Sequence, residues 1–359
     1  MKICLSMIVK NEEHCIARCL ESVKPYINYW IISDTGSTDK TEEIVKETLK
    51  DIPGEFHKNV WVDFSTNRNI ALDLARDKSD YILFIDADDS LVVNKKNCFE
   101  KLNRDAYNIK INHSNAIYHR ISLIKNSLPA KYEGILHESL HISNNVIAPP
   151  LLDGCHIKFG GDGCRSKDPE KYLKDALVLE KALEKDPNNS RYVFYCAQSY
   201  KDAKILDKAA KYYSQRTTMG GWNEECFFAA FELGKILESI TPLNIINISN
   251  AYIKAFNFAP HRVESLTALC SFLRKHKLYD MAYFYSKIGI KIPKPNNGLF
   301  ILPHCYDWKI KDEFALAAYY IKNYKAAYET NSLLLSSPNL PPSELSRIKQ
   351  NLEFCKTKI

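Results

Sequence analysis

Three acidic residues fall within four positions where an apolar run ends, in Ile82-Leu83-Phe84-Ile85-Asp86-Ala87-Asp88-Asp89. Carboxylates this close repel one another, so something positive has to offset them. A divalent cation with hard oxygen ligands would do so and could bridge onward to phosphates. The plainer alternative is an acidic turn that caps the next segment. A second constellation is Ile31–Asp39, IISDTGSTD, where a strand enters a Gly-Ser-Thr turn with an acidic residue on either side. Asp34 at the strand's end can accept hydrogen bonds from a base or ribose, and Asp39 can cap the helix that follows. Strand-turn-helix junctions also use these residue types structurally. The Gly-Lys-Ser/Thr order of a P-loop is absent.

Such groups act together only if a scaffold gathers strand ends. The first third of the chain alternates strand and helix signals: a strand at Ile3–Val9, helical spacing over Glu12–Val23, and a strand at Tyr29–Ser33. A helix capped by Thr38 or Asp39 then runs to about Leu49. A third strand is expected over Asn59–Phe64, a helix over Asn67–Arg76 and a fourth strand over Tyr81–Asp86. Apolar strands separated by helices imply a mainly parallel sheet covered on both faces, with ligands at the strands' carboxyl ends. Lys10, Asp34 and Asp86 fall there. Residues 106–159 read as mixed, with short strands at Ala106–Ile111 and Ala116–Leu123.

From about Asp168 helical periodicity takes over. Ala197, Tyr200, Ala209 and Tyr213 have the spacing of packing positions in a tetratricopeptide repeat, and Cys270, Leu273, Ala282 and Ser286 repeat it more loosely. Further helices are expected over Glu313–Tyr320 and Tyr324–Leu335. The expectation is an α/β domain over 1–165 and an all-α helical-repeat domain over 166–359.

The net charge is +6, from 49 Lys and Arg against 43 Asp and Glu, and the basic residues are scattered. That argues against nucleic acid as partner and suits a nucleotide diphosphate equally well. The N-terminal apolar run meets a charge at Lys10 and lacks a small-residue cleavage site, so it reads as a strand and not a signal peptide. No stretch approaches the roughly 20 apolar residues of a membrane helix. The 11 cysteines lack metal-type C-x-x-C pairs, and a reducing, cytoplasmic setting is expected.

Together SMIVKNEE (Ser6–Glu13), SDTGSTDKT (Ser33–Thr41), FSTNRNIAL (Phe64–Leu72) and ILFIDADDSL (Ile82–Leu91) resemble the inverting family-two glycosyltransferases of GT-A, Rossmann-like fold. The resemblance implies a nucleotide-sugar donor, UDP being the family's common nucleotide, and a Mn²⁺ or Mg²⁺ cofactor. By that likeness the acidic triplet is the D-x-D motif. Asp86, with Ala87, would contact the donor's ribose or sugar, and Asp88 would hold the metal against the diphosphate. Val9, Lys10, Asn11 and Glu12 would line the nucleotide pocket, Asp34 would face the base, and Arg68 would lie near the nucleotide or diphosphate. KYEGILHESL (Lys131–Leu140) resembles the G-x-x-H-E segment of relatives with a helical-repeat tail. Glu138 becomes the expected base that deprotonates the acceptor hydroxyl, His137 its neighbour, and Glu133 the competitor. In LDGCHIKFGGDG (Leu152–Gly163), His156 is expected as a further metal ligand, with Lys158 and Arg165 reaching the diphosphate. His57 and His261 are read as structural. RYVFYCAQSY (Arg191–Tyr200) and MGGWNEE (Met219–Glu225) resemble the repeat tail of the same enzymes.

The expected function is transfer of a hexose or N-acetylhexosamine from a UDP-sugar to a glycan or protein hydroxyl, with the repeats offering a surface for a protein partner. The rivals are a helical-repeat adaptor with an inactive transferase domain and an aspartate-nucleophile phosphohydrolase. The latter would want its D-x-D on the first strand, followed by Gly-Thr; here Asp89-Ser90 follows the fourth.

Overall fold

The computed structural model describes residues 1–113, 116–142, 148–240, 242–296 and 298–359. They divide into two compact units, Met1–Lys171 and Tyr172–Ile359.

The first unit contains β1 (Ile3–Val9), α1 (Ile16–Val23), β2 (Tyr29–Asp34), α2 (Thr41–Thr48), β3 (Gly54–Lys58), α3 (Phe64–Leu74), β4 (Tyr81–Phe84), β5 (Ser90–Val93), β6 (Ala106–His113), β7 (Ala116–Lys125), β8 (Ala130–Glu133), β9 (Ser139–Ile142) and β10 (Cys155–Lys158). Eight strands form one sheet in the order β3-β2-β1-β4-β7-β6-β10-β5, and β8 and β9 make a separate hairpin. The run from β3 to β4 is parallel throughout, as is β6 with β10. β7 runs against both β4 and β6, and β5 against β10.

Side chains alternate across a strand, and the two faces bury different partners. Ile3, Leu5, Met7 and Val9 pack with Ile16, Cys19, Leu20 and Val23 of α1 on one side. Cys4, Ile31, Ile82 and Phe84 pack with Leu72, Ala75 and Tyr132 on the other. The sheet is thus covered twice, which is why its central strands are mostly apolar on both faces, with Ser6 and Ser33 the buried polar exceptions before the strand-end Asp34. Val9 lies opposite Asp34 and Asp34 opposite Lys58, so the carboxyl ends of β1, β2 and β3 finish in line.

One expected strand is displaced. The third strand is Gly54–Lys58, not Asn59–Phe64, and Phe64 already belongs to α3. Asp63 accepts the Thr66 N–H at 2.7 Å and starts the helix there. Asn67, fully buried, ties residues 60–62 down by accepting from Val62 N and donating to Val60 O, at 2.9 and 3.0 Å. β4 is also shorter than expected, ending at Phe84, so Asp86 sits beyond the ladder.

The second unit is helical: α4 (Lys171–Lys185), α5 (Ser190–Asp202), α6 (Leu206–Arg216), α7 (Asn223–Ser239), α8 (Ile245–Phe258), α9 (Glu264–Lys275), α10 (Tyr279–Gly289), α11 (Ile310–Tyr320), α12 (Tyr324–Leu335) and α13 (Pro342–Lys356). Chain neighbours pack as antiparallel hairpins, α5 on α6, α7 on α8, α9 on α10 and α11 on α12. Ala197, Tyr200, Ala209 and Tyr213 are wholly buried between α5 and α6, and Cys270, Leu273, Ala282 and Ser286 between α9 and α10. No helix among the described residues is long and apolar enough to cross a membrane.

Candidate functional site

The side chains expected to do chemistry meet beyond the carboxyl ends of β1, β2 and β4. Arg68, one residue after the clamp at Asn67, reaches out of α3 to two carboxylates. Its Nη2 donates to Asp86 Oδ1 at 2.7 Å and its Nε to Glu138 Oε1 at 2.6 Å. Asn69 exchanges hydrogen bonds with the Tyr132 backbone at 2.7 and 2.9 Å, which pins the β8-β9 hairpin and therefore Glu138 to α3. The Arg68 guanidinium lies 5.6 Å from the Tyr132 ring centroid. Arg120, on β7, closes the cluster by donating Nη1 to Asp86 Oδ2 at 2.9 Å. Burial alone would raise the Asp86 carboxyl, but Arg120 and Arg68 outweigh it and hold it well below the usual carboxylate range. Nε and Nη2 of Arg120 are buried without a partner among the described residues. They form the edge of the guanidinium that grips paired oxygens.

Glu138 is brought to this cluster, whereas Glu133 points elsewhere, 3.8 Å from His141 across the hairpin. His137 is exposed and takes a left-handed backbone, φ 53°, at the bend before β9.

The expected nucleotide pocket is a tight junction. Asn11 is left-handed at φ 56°, and its side chain accepts from Thr38 N at 2.8 Å while its own N–H donates to Ser37 Oγ. The carbonyl of Val9 accepts from Thr35 N at 2.9 Å. Asp34 is buried and turned onto Ser37, accepting its N–H at 3.0 Å and its hydroxyl at 2.6 Å, so it shapes the Gly-Ser-Thr turn. Lys10 is exposed at the rim. The N-cap position of α2 is Lys40 and not the expected Thr38 or Asp39; Asp39, one residue earlier, accepts Thr41 N at 3.0 Å and Glu13 N at 3.1 Å.

Ala87 is buried, and Asp88, just before β5, faces the glycine-rich loop that follows β10. Asp88 Oδ2 accepts Gly163 N at 3.2 Å, Asp89 Oδ1 accepts Gly160 N at 3.2 Å, and Glu12 Oε2 accepts Cys164 N at 3.1 Å. Arg18 of α1 ties the two loops, donating to Asp162 at 2.6 and 2.8 Å and to the Asp88 carbonyl at 2.6 Å. Burial raises the Glu12 carboxyl, and nearby Asp88 adds to the rise. Burial, reinforced by Asp86, pushes Asp89 up to about 7.

With Asp86 taken by Arg68 and Arg120, the carboxylates of Asp88, Asp89 and Glu12 remain as hard oxygen donors of the kind that hold a divalent ion. Among the described residues one group of three metal-type ligands lies within 4.8 Å of one another: Glu12, His14 and Cys15. His14 also touches the Asp162 carbonyl at 2.5 Å. His14 is thus the histidine that the fold brings beside Glu12 and the glycine-rich loop. His156 is not brought there: on β10 it lies opposite Val92 of β5, and burial and then Lys110 lower its pKa. A strand residue four positions before Gly160 lies about 13 Å from it along the chain. Lys158 is exposed opposite Ser90, and Arg165 sits 4.8 Å over the Phe64 ring. His57 and His261 are paired with Glu55 and Glu224, at 2.9 and 3.2 Å.

The site residues that motif reading misses are Arg18, Arg120, Asp162 and His14. The first two are lone arginines in a helix and a strand, distant in sequence from the acids they serve. Only the unmatched negative charge of the triplet hinted at them.

Comparison with known proteins places this geometry in context. Residues 4–119 match the model of Glycosyl transferase family 2. A TPR repeat-containing protein of Synechococcus elongatus is 38% identical over 92 residues, covering 26% of this chain and 22% of its own. The SPbeta prophage-derived glycosyltransferase SunS of Bacillus subtilis is 25% identical over 305 residues, covering 81% of this chain and 64% of its own. The chain thus spans less than two thirds of either relative. Among solved structures, residues 1–349 of S. aureus TarS in complex with UDP-GlcNAc align at a TM-score of 0.36 and 14% identity, over 73% of this chain and 90% of that one. MamA aligns at 0.35 and 16%, over 45% and 90%.

Proposed function

We propose that the chain, whose residues 4–119 match the model of Glycosyl transferase family 2, moves a hexose or N-acetylhexosamine from a UDP-sugar to an acceptor hydroxyl with inversion. Residues 1–165 would carry the catalysis, and the helices from 166 onward would present a surface to a protein acceptor or partner.

The observation that carries this reading is the ion-pair cluster in which one guanidinium, Arg68, holds Asp86 and Glu138 together at the carboxyl ends of a parallel sheet. Asp86, fixed from both sides by arginines, offers an oriented acceptor to the hydroxyls of the donor's ribose or sugar. The unpaired edge of Arg120 is the donor left over for an oxygen of the same molecule. Val9, Lys10, Asn11, Glu12 and Asp34 frame the nucleotide.

Glu138 is positioned to take the acceptor's proton as its oxygen attacks the anomeric carbon. The bond from that carbon to the diphosphate breaks as the new one forms, and the diphosphate leaves with the electron pair. Arg68 holds Glu138 through Oε1, which leaves Oε2 as the oxygen to receive the proton while the ion pair fixes the carboxylate's orientation. Asp88, with Glu12 beside it, would hold the cation. A bound Mn²⁺ or Mg²⁺ would orient the diphosphate and offset its growing charge.

The test is turnover of a panel of UDP-sugars, followed as UDP released with candidate glycan and peptide acceptors. Glu138→Gln should lower the rate by about 10²–10⁴-fold while donor binding persists, and Glu133→Gln should leave it near wild type. The opposite ranking would assign the base to Glu133. Absence of turnover and of donor binding across the panel would favour the adaptor reading.

A further inference from the structure

Three consecutive carboxylate contacts come from one short stretch of backbone. The N–H groups of Gly160, Gly163 and Cys164 are directed at Asp89, Asp88 and Glu12. Two of these acids, Asp88 and Glu12, are the ones assigned above to the cation. The loop is also held from outside its own backbone. Arg18 grips both oxygens of Asp162 and the carbonyl of Asp88, and His14 meets the Asp162 carbonyl.

The sequence of the loop is matched to this seat. A Cβ at position 160 would collide with the Asp88 carbonyl oxygen, and one at 163 would come within 3.0 Å of Asp88 Oδ2. Gly161 takes φ +72°, which side-chain-bearing residues rarely adopt. Each glycine therefore lets backbone approach acid or turn back toward it. Backbone N–H groups aimed together at carboxylates supply the partial positive charge that a cation would otherwise supply.

We propose that residues 160–164 form a strap that occupies the cation's ligands until the cation displaces it, and that Arg18 is the positioning residue that holds the strap shut. The inference rests on the donor-site reading given above. Gly163 N–H takes up one lone pair of Asp88 Oδ2 and Cys164 N–H one of Glu12 Oε2, so a cation drawn to those oxygens competes with the loop for them. Cation entry then releases Gly163 and Cys164, and the basic residues just beyond them, Arg165 and Lys167, gain freedom to move toward the diphosphate. The strap couples cation binding to the delivery of positive charge, and it keeps the acidic loop neutralised beforehand.

The experiment titrates Mn²⁺ alone into the whole chain by calorimetry, for wild type, Gly160→Ala and Arg18→Lys, and follows trypsin cleavage after Arg165 and Lys167 in parallel. Neither substitution changes the net charge, so tighter binding cannot come from removing a repelling cation. A ligand's apparent affinity falls by the fraction of molecules not competent to bind it. Each variant should therefore bind Mn²⁺ about 3–10-fold more tightly and be cut faster without metal. The wild type should be cut faster once Mn²⁺ is added. Unchanged Mn²⁺ affinity and cleavage in both variants, at unchanged Tm, overturns the strap and leaves the donor-site reading standing. Absence of Mn²⁺ binding in all three proteins overturns both. Should Gly160→Ala fail to fold, Arg18→Lys decides, since the Arg18 side chain is 47% exposed and outside the core.

Discussion

Arg68 shows how a single residue organises the site. Its side chain is 14% exposed and bridges two acids 52 positions apart in the chain, Asp86 and Glu138. The acids were legible because three of them crowd the end of an apolar strand. Asp34 was legible as a strand-end acid, yet its carboxylate is spent on Ser37, a contact that any Asp-x-x-Ser turn can make. Arg120 left no trace in the motifs, because one arginine in a strand reads as a surface charge. Away from the site, Glu55 gives a pH-dependent prediction. Lys78 first, then Tyr29 and more weakly His57 hold its carboxyl down at about 2. A depressed folded-state pKa contributes stability above the unfolded value, about 4.3, and loses it as pH falls toward 2. Glu55 is about a third exposed, so solvent screening trims the effect to about 0.5 kcal/mol. Glu55→Gln should lower stability by that amount at pH 7 and by nothing near pH 2, as read from thermal unfolding at the two pH values.

At the scale of elements, α3 does more than its length suggests. The segment Asn59–Phe64 reads as a strand because Val60, Trp61 and Val62 are β-branched or aromatic. In the fold those three are 84%, 39% and 60% exposed, and the ladder has already ended at Lys58. What overrides propensity is polar: Asn59 N–H caps the carbonyl of Asp34, Asn67 fastens residues 60–62, and Asp63 opens the helix. None of these contacts has a periodic signature. Asp63→Ala should cost about 1 kcal/mol, with faster amide exchange confined to the first turn of α3. Loss of protection spread across the sheet would contradict a local cap. The acidic loop and its glycine-rich partner were both visible as motifs. Their apposition was not, since it depends on β10 lying antiparallel to β5. That same register sets His156 opposite Val92, four residues beyond Asp88, while His14 meets the Asp162 carbonyl.

Across the whole molecule, the two units differ in how much the sequence disclosed. The parallel sheet follows from apolar strands alternating with helices, and the small and aromatic positions of the helical unit mark real packing sites. The buried charges between those helices were not anticipated. Arg262 is 1% exposed and pairs with Glu264 at 2.7 Å and with Glu224, while accepting no help from solvent. Removing one partner of a buried pair strands the others, so Arg262→Ala should cost about 3–5 kcal/mol in urea unfolding. A loss below about 1 kcal/mol would mean the helices close over the gap.

The most direct test of the account is calorimetric titration of UDP and UDP-sugars into the whole chain, with and without Mn²⁺, for wild type and Asp88→Ala. The account predicts saturable binding that requires Mn²⁺ and is lost in Asp88→Ala. Binding that is indifferent both to Mn²⁺ and to Asp88 would contradict it.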